Sequence, residues 1–363
     1  MLFHRCAVHG ARCAAVPEDG AASGSRGQRF FTIDLHCHAL SPEVEKLVAT
    51  HPRRQAEPEM MVRTLGAESA AHNARVMLPA AGPKLTGLDA RLADMDAMGV
   101  DVQVVSPSPN QYYYWADDAL ARDVVRVQNE HIAALCAKHP DRLQGLGTVA
   151  LQQPQLAVEQ LRHAVEVLGL RGVEISTTVE GRELADEAFE PFWAEAARLR
   201  CVVFLHPLGT WAFERLNRWY LTNVIGQPLE TTVALSHIIF SGLLDRHPGL
   251  RLLAAHGGGY LPAYLGRFEH AWKVRPEAKS MLRPPRDYLR RIWFDTVVYE
   301  PMAIRRLIDE VGITQLVTGT DYPFDMGSYD IAGLLAQVPG LDDAGRTAIL
   351  GGNARRLLDA SQA

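Results

Sequence analysis

Short apolar runs alternate with longer segments of helical period along most of the chain. The runs occupy residues 31–36, 100–106, 144–149, 170–175, 201–206, 250–256, 291–296 and 315–320. Most are rich in Val, Leu or Ile and show little polar alternation, the pattern of strands buried on both faces of a parallel sheet. Between them, residues 88–98, 119–138, 156–168, 189–199 and 304–311 repeat apolar positions every three to four residues, which predicts helices. Asp89 or Thr86 can cap the first of these and Gly99 follows its last turn, while Pro140 closes the second and Pro154 opens the third. Strand and helix alternating eight times across residues 30–360 predict a (β/α)8 TIM barrel. An open doubly wound sheet is the competitor, but no G-x-G-x-x-G follows the first strand.

Two connections exceed an ordinary strand-to-helix loop. Residues 39–87 follow the first strand and are expected to form a lid or small insertion. Residues 207–228 follow the fifth and carry Trp211, Phe213, Trp219 and Tyr220. A shorter loop, 107–115, holds Tyr112, Tyr113, Tyr114 and Trp115. In a barrel all three lie at the C-terminal mouth, where active sites are built. Any single ring among them is more simply explained by packing or a subunit contact. Residues 1–29 are rich in Ala, Gly, Ser and Arg without apolar period, and are expected to be a disordered extension of one barrel domain.

Composition narrows the function. The 363 residues are 47% hydrophobic and 22% charged, which excludes a disordered or fibrous chain. A net charge of −5 gives no basic surface for nucleic acid or anionic lipid, and no apolar stretch reaches the ~18 residues of a membrane span. The five cysteines, Cys6, Cys13, Cys37, Cys136 and Cys201, are odd in number and scattered, so a reducing, cytoplasmic setting is expected.

The chemistry concentrates at the ends of the runs. In the first, Asp34-Leu35-His36-Cys37-His38 places two imidazoles on one face of a strand and turns Cys37 away. His206 ends the fifth run, His256 the sixth, just before Gly257-Gly258-Gly259, and Asp321 the eighth. All five would converge on one rim of a barrel. Buried polar groups are costly without a partner, and one divalent ion would supply it. Three imidazoles and a carboxylate suit Zn²⁺, and the same donors accept Mn²⁺, Co²⁺ or Fe²⁺. Asp321 could also exchange a proton. His256, flanked by glycines, suits a general acid/base. Glu174 could bridge a second metal, but no matching extra ligand accompanies it, so a structural bond is expected there. A serine nucleophile and a phosphate loop lack their motifs.

The stretches IDLHCH (33–38), RLADMDAMGVDVQVVSPSP (91–109), RLQGLGTVALQ (142–152), LRGVEI (170–175), VFLHP (203–207), AHGGGYLPAYLGRFEHAW (255–272) and GTDYPFDMG (319–327) together resemble the amidohydrolase superfamily. More narrowly, they are similar to the aminocarboxymuconate-semialdehyde decarboxylase-like enzymes. The resemblance implies one zinc held by His36, His38, His206 and Asp321, with His256 activating water or moving a proton. It implies that Arg267 reaches a neighbouring subunit's site to hold a substrate carboxylate, hence a homodimer or higher oligomer. A second carboxylate-binding arginine belongs in the insertion, where Arg75 is the best match and Arg63 and Arg91 are rivals; Trp211 is a further substrate-contact candidate. The expected reaction is non-oxidative decarboxylation of an unsaturated or aromatic-like acid, with a metal-dependent hydrolase or hydratase as the alternative.

Overall fold

Runs of Val, Leu and Ile with no polar face become strands only where apolar groups cover both sides, and a closed parallel barrel provides that cover. The computed structural model describes residues 29–359; the expected extension, apart from Arg29, lies outside them. The barrel strands are β1 (Ile33–Ala39), β2 (Val102–Pro107), β3 (Leu143–Gly145), β4 (Gly172–Ile175), β5 (Val202–Leu205), β6 (Arg251–Ala254) and β7 (Trp293–Phe294). Regular parallel ladders join β1–β2–β3 and β4–β5–β6–β7. Three isolated parallel bridges close the ring: Gly147 with Val173, Phe294 with Leu316, and Cys37 with Tyr322. Residues 316–322 thus occupy the eighth position. They make ladder contacts at each end, including Leu35 N–H to Thr318 O and His38 N–H to Tyr322 O, without the regular strand that the apolar run predicts.

The barrel interior is a packed apolar plug of Ile33, Leu35, Val104, Leu146, Phe204, Leu253 and Val317. The helix Asn353–Asp359 stoppers its lower end with Ala354, Leu357 and Leu358. A larger apolar layer lies between strands and outer helices. The helix predicted over 88–98 forms as Leu88–Met98, ending on left-handed Gly99; its N-cap is Gly87, without the side-chain cap expected from Thr86 or Asp89.

The connection after β1 is helical, through Pro42–Val48, Pro52–Leu65, Ala67–His72 and Leu78–Thr86. It packs against several mouth loops. Arg53 pairs with Glu180, Arg63 with Glu214 and His72 with Asp325, while His51 stacks on Trp115 at 4.3 Å. The loop tyrosines after β2 are packed rather than displayed: Tyr112, Tyr113 and Tyr114 are all buried. Among the described residues no helix is long and apolar enough to cross a membrane.

Candidate metal centre

A β-bulge turns the two β1 histidines into the barrel. Ile33 and Leu35 face the interior plug, whereas Cys37 and Ala39 pack in the outer layer. Simple alternation would therefore send His36 and His38 outward. The register with β2 shifts between Asp34 and Cys37, so Leu35 and His36 share the interior side and His38 follows two residues on. His36 packs its ring 5.0 Å from Phe204, the top of the plug. After β5 and β7 alternation alone suffices, and the irregular eighth segment keeps the same parity as far as Asp321 at φ 58°. Phe204 is followed by His206, Trp293 by Asp295, and Val317 by Asp321 after two further steps.

Four side chains meet there, all buried. Asp321 Oδ1 is 3.3 Å from His36 Nε2 and 3.4 Å from His38 Nε2. The His206 ring centroid is 4.9 Å from those of both His36 and His38. One donor atom from each of His36, His38, His206 and Asp321 lies within 4.8 Å of the others. Two donors each about 2.1 Å from one ion at a tetrahedral angle stand about 3.4 Å apart, the spacing that Asp321 makes with both β1 imidazoles. His36 Nε2, His38 Nε2 and both ring nitrogens of His206 have no hydrogen-bond partner. Orphaned imidazole nitrogens facing a carboxylate are what a divalent cation satisfies. The residues fit a metal ion.

Outer contacts fix the ring orientations. His38 Nδ1 lies 3.2 Å from Pro107 O and His36 Nδ1 lies 2.6 Å from Asp295 Oδ2, so in each ring Nε2 is left to face the cluster. Asp295 was not singled out from the sequence. Its signal was present, as the acid near the end of the seventh apolar run. Asp34 was also missed: its carboxylate accepts from Gln103 Nε2, Thr320 Oγ1 and the His36 and Thr320 amides, which ties β1 to the eighth position.

The charge states follow from these neighbours. Burial pulls the His36 imidazole down, but Asp321 and Asp295 outweigh it and hold its pKa well above the ordinary value. Burial and the surrounding imidazoles push His206 well below it, toward the neutral form that ligates metals. Burial opposes ionisation of Asp321, yet His36, His256 and His38 hold its carboxyl well below the usual range. Asp321 therefore stays a carboxylate facing the imidazole nitrogens.

His256 stands at the open side of the cluster. Its Nε2 is 3.8 Å from Asp321 Oδ2, and its ring centroids are 5.3 Å from His36 and 5.2 Å from His206. It begins a left-handed stretch, φ 54°, 61°, 77° and 65° over residues 256–259. Glycine is required after it: a Cβ on Gly259 would lie 2.1 Å from Pro228 O. Glu174 is occupied by hydroxyls, Tyr112 at 2.6 Å and Ser106 at 2.5 Å, and burial raises its pKa. Those bonds make it a structural group beneath His38.

The three expected substrate contacts are not drawn into this cluster. Arg267 is exposed on the helix Leu265–Val274 and Arg75 is exposed in the insertion; among the described residues neither side chain has a hydrogen-bond or ion-pair partner. Trp211 is 74% exposed, its backbone amide bonded to Glu230. Of the rival arginines, Arg63 pairs with Glu214. Arg91 is removed from contention, because it is buried and donates to Gln103 Oε1 and the His38 carbonyl, bracing β1 from outside.

Residues 33–360 match the family model described as Amidohydrolase. The chain belongs to the amidohydrolase family. It is 33% identical over 272 residues to 2-amino-3-carboxymuconate-6-semialdehyde decarboxylase of Dictyostelium discoideum, covering 74% of this chain and 76% of that protein. It is 32% identical over 259 residues to gamma-resorcylate decarboxylase of Rhodococcus jostii, covering 65% and 77%. The solved structure of 2,6-dihydroxybenzoate decarboxylase from Rhizobium superposes with a TM-score of 0.75 at 25% identity, covering 91% of this amidohydrolase and 99% of that chain. These similarities agree with the TIM-barrel class expected from the alternating runs.

Proposed function

We propose that this amidohydrolase is a metal-dependent carboxy-lyase that removes CO₂ from an unsaturated or aromatic acid without oxidation. The observation that carries the reading is the buried His36–His38–His206–Asp321 cluster with its unsatisfied imidazole nitrogens, in a chain one-third identical to a decarboxylase over most of its length. Zn²⁺ suits three imidazoles and one carboxylate best. A divalent ion held there supplies a Lewis acid that polarises a substrate oxygen next to the breaking bond.

Loss of CO₂ leaves an electron pair on carbon, which must take up a proton. His256 is the donor, because it is the most accessible of the clustered histidines and borders the open side. Asp321 Oδ2 faces the His256 ring at 3.8 Å, and its negative charge favours the protonated imidazole. The carboxylate that leaves needs a cation to orient it. Arg267, exposed and with no side-chain partner among the described residues, is suited to do so in a second subunit, which makes the working unit a homodimer. Arg75 and Trp211, on the insertion and on the loop after β5, are the remaining substrate contacts. The three described cysteines are free, in keeping with a cytoplasmic enzyme.

The test is CO₂ release by zinc-loaded protein from 2-amino-3-carboxymuconate 6-semialdehyde, 2,6-dihydroxybenzoate and related acids. Release that disappears in His256→Ala supports the reading. No release from any of them overturns the reading, and ¹⁸O from labelled water at a non-exchanging position of the product assigns the site to hydrolysis or hydration instead.

A further inference from the structure

We infer that Asp295 is a positioning residue that sets the metal ligand His36 and the proton donor His256 from a single carboxylate. The inference rests on the proposed metal centre and adds to it a residue outside the ligand set. Asp295 is fully buried at the end of β7. Oδ2 lies 2.6 Å from His36 Nδ1 and accepts the His256 amide at 3.0 Å. Oδ1 accepts the Gly257 amide at 2.9 Å and the Val297 amide at 3.1 Å. Both oxygens are thus saturated by four donors, one on the metal ligand and two at the start of the loop that carries His256.

That loop needs such an anchor. His256 is a non-glycine residue at φ 54°, a backbone state that costs about 1 kcal/mol or more and persists only where its surroundings impose it. Two amides locked on Asp295 impose it here. On the other side, a proton held on His36 Nδ1 leaves the Nε2 lone pair directed at the metal. Space for the pair comes from Gly319, where a Cβ would come within 2.8 Å of both the Asp295 and His36 Cβ atoms.

Asparagine shows why a carboxylate is needed. With its NH₂ toward His36, it drives the imidazole proton onto Nε2, and it faces the His256 amide donor to donor. With the amide flipped, it faces Gly257 and Val297 donor to donor. The first arrangement loses the His256 amide bond and the Nε2 lone pair, and the second loses two amide bonds.

The experiment uses the full chain and its Asp295→Asn variant, stripped of metal and titrated with Zn²⁺ against a chromophoric chelator, with circular dichroism confirming the fold. The expected result is a 10- to 100-fold weaker zinc affinity. At saturating zinc, where occupancy is restored, kcat is expected to stay at least tenfold down because His256 has lost its backbone anchor. A folded variant with wild-type zinc affinity overturns the inference, as does full recovery of kcat on saturation. If the variant does not fold, ¹⁵N-histidine spectra of zinc-loaded wild type decide: protonation of His36 at Nδ1 supports the role and protonation at Nε2 overturns it. A wild type that binds zinc but releases no CO₂ defeats the decarboxylase reading and leaves the affinity comparison intact. A wild type that binds no divalent ion defeats both.

Discussion

Replacing Gly319 with alanine adds one methyl group at the seam between the fold and its chemistry. The new Cβ would lie 2.8 Å from the Cβ atoms of His36 and Asp295, and 3.3 Å from Val297 Cγ2. Carbon atoms prefer about 3.5–4.0 Å, so the first two contacts must open by about 0.7–1.2 Å. Both obstructing atoms are Cβ atoms, which cannot swing aside by changing rotamer; β1 or β7 itself must move. Overpacking of this kind costs about 1–3 kcal/mol. The same displacement carries His36 away from its partner Asp295 and from Asp321, and shifts near 1 Å in such sites cost about 100-fold. Gly319→Ala is therefore expected to lower stability by about 1–3 kcal/mol in urea unfolding of the metal-free protein. It is also expected to weaken zinc binding at least tenfold in chelator competition. A variant with wild-type affinity and stability would show that the His36–Asp295 packing does not set the metal site.

Three further outcomes are expected. Arg91→Ala should cost about 2–4 kcal/mol, because it strips donors from Gln103 and the His38 carbonyl in a buried setting; a loss below 0.5 kcal/mol by thermal or urea unfolding would deny Arg91 its bracing role. Glu195 ties its helix to the preceding one through Arg162 and bonds Arg198 on its own helix, and bonds from those arginines hold its carboxyl down at about 2 against 4.5 when unfolded. A lowered folded pKa contributes stability above pH 4.5 that is lost as pH falls toward 2. Both arginines are half exposed, so the contribution is about 1–2 kcal/mol. Glu195→Gln should thus be less stable than wild type by that amount at pH 7, with the gap shrinking between pH 5 and pH 3; a gap that widens on acidification has the wrong sign. Chelation of the metal should lower the thermal midpoint, since an ion present at about 100 times its Kd contributes about 2.7 kcal/mol, and calorimetry with and without chelator measures it.

Much of the barrel is readable because burial on both faces leaves a plain signature, a short run of Val, Leu and Ile ending in one polar group. His206 and Asp321 stand out for that reason. The inward aim of His36 and His38 is less legible. Two residues apart, they share a face, but which face depends on a bulge that composition does not encode. The eighth run reads as a strand, yet its chain departs from regular pairing, and Asp321 itself sits at φ 58°. Asp295 shows a different gap: it stands near the end of the seventh run, but its bonds to backbone amides and to a histidine from a distant strand arise only in the fold. The arginines were the weakest point, since Arg91 looks like a charged surface residue on its helix and is buried by a partner network only the fold creates.

The central claim is tested most directly by running the zinc-loaded enzyme on an unsaturated or aromatic acid in D₂O and analysing gas and product together. One CO₂ for each deuterium placed on the carbon that bore the carboxylate, with neither formed by metal-free protein, is the predicted result. Product formed without CO₂, or at the same rate after the metal is removed, would contradict it.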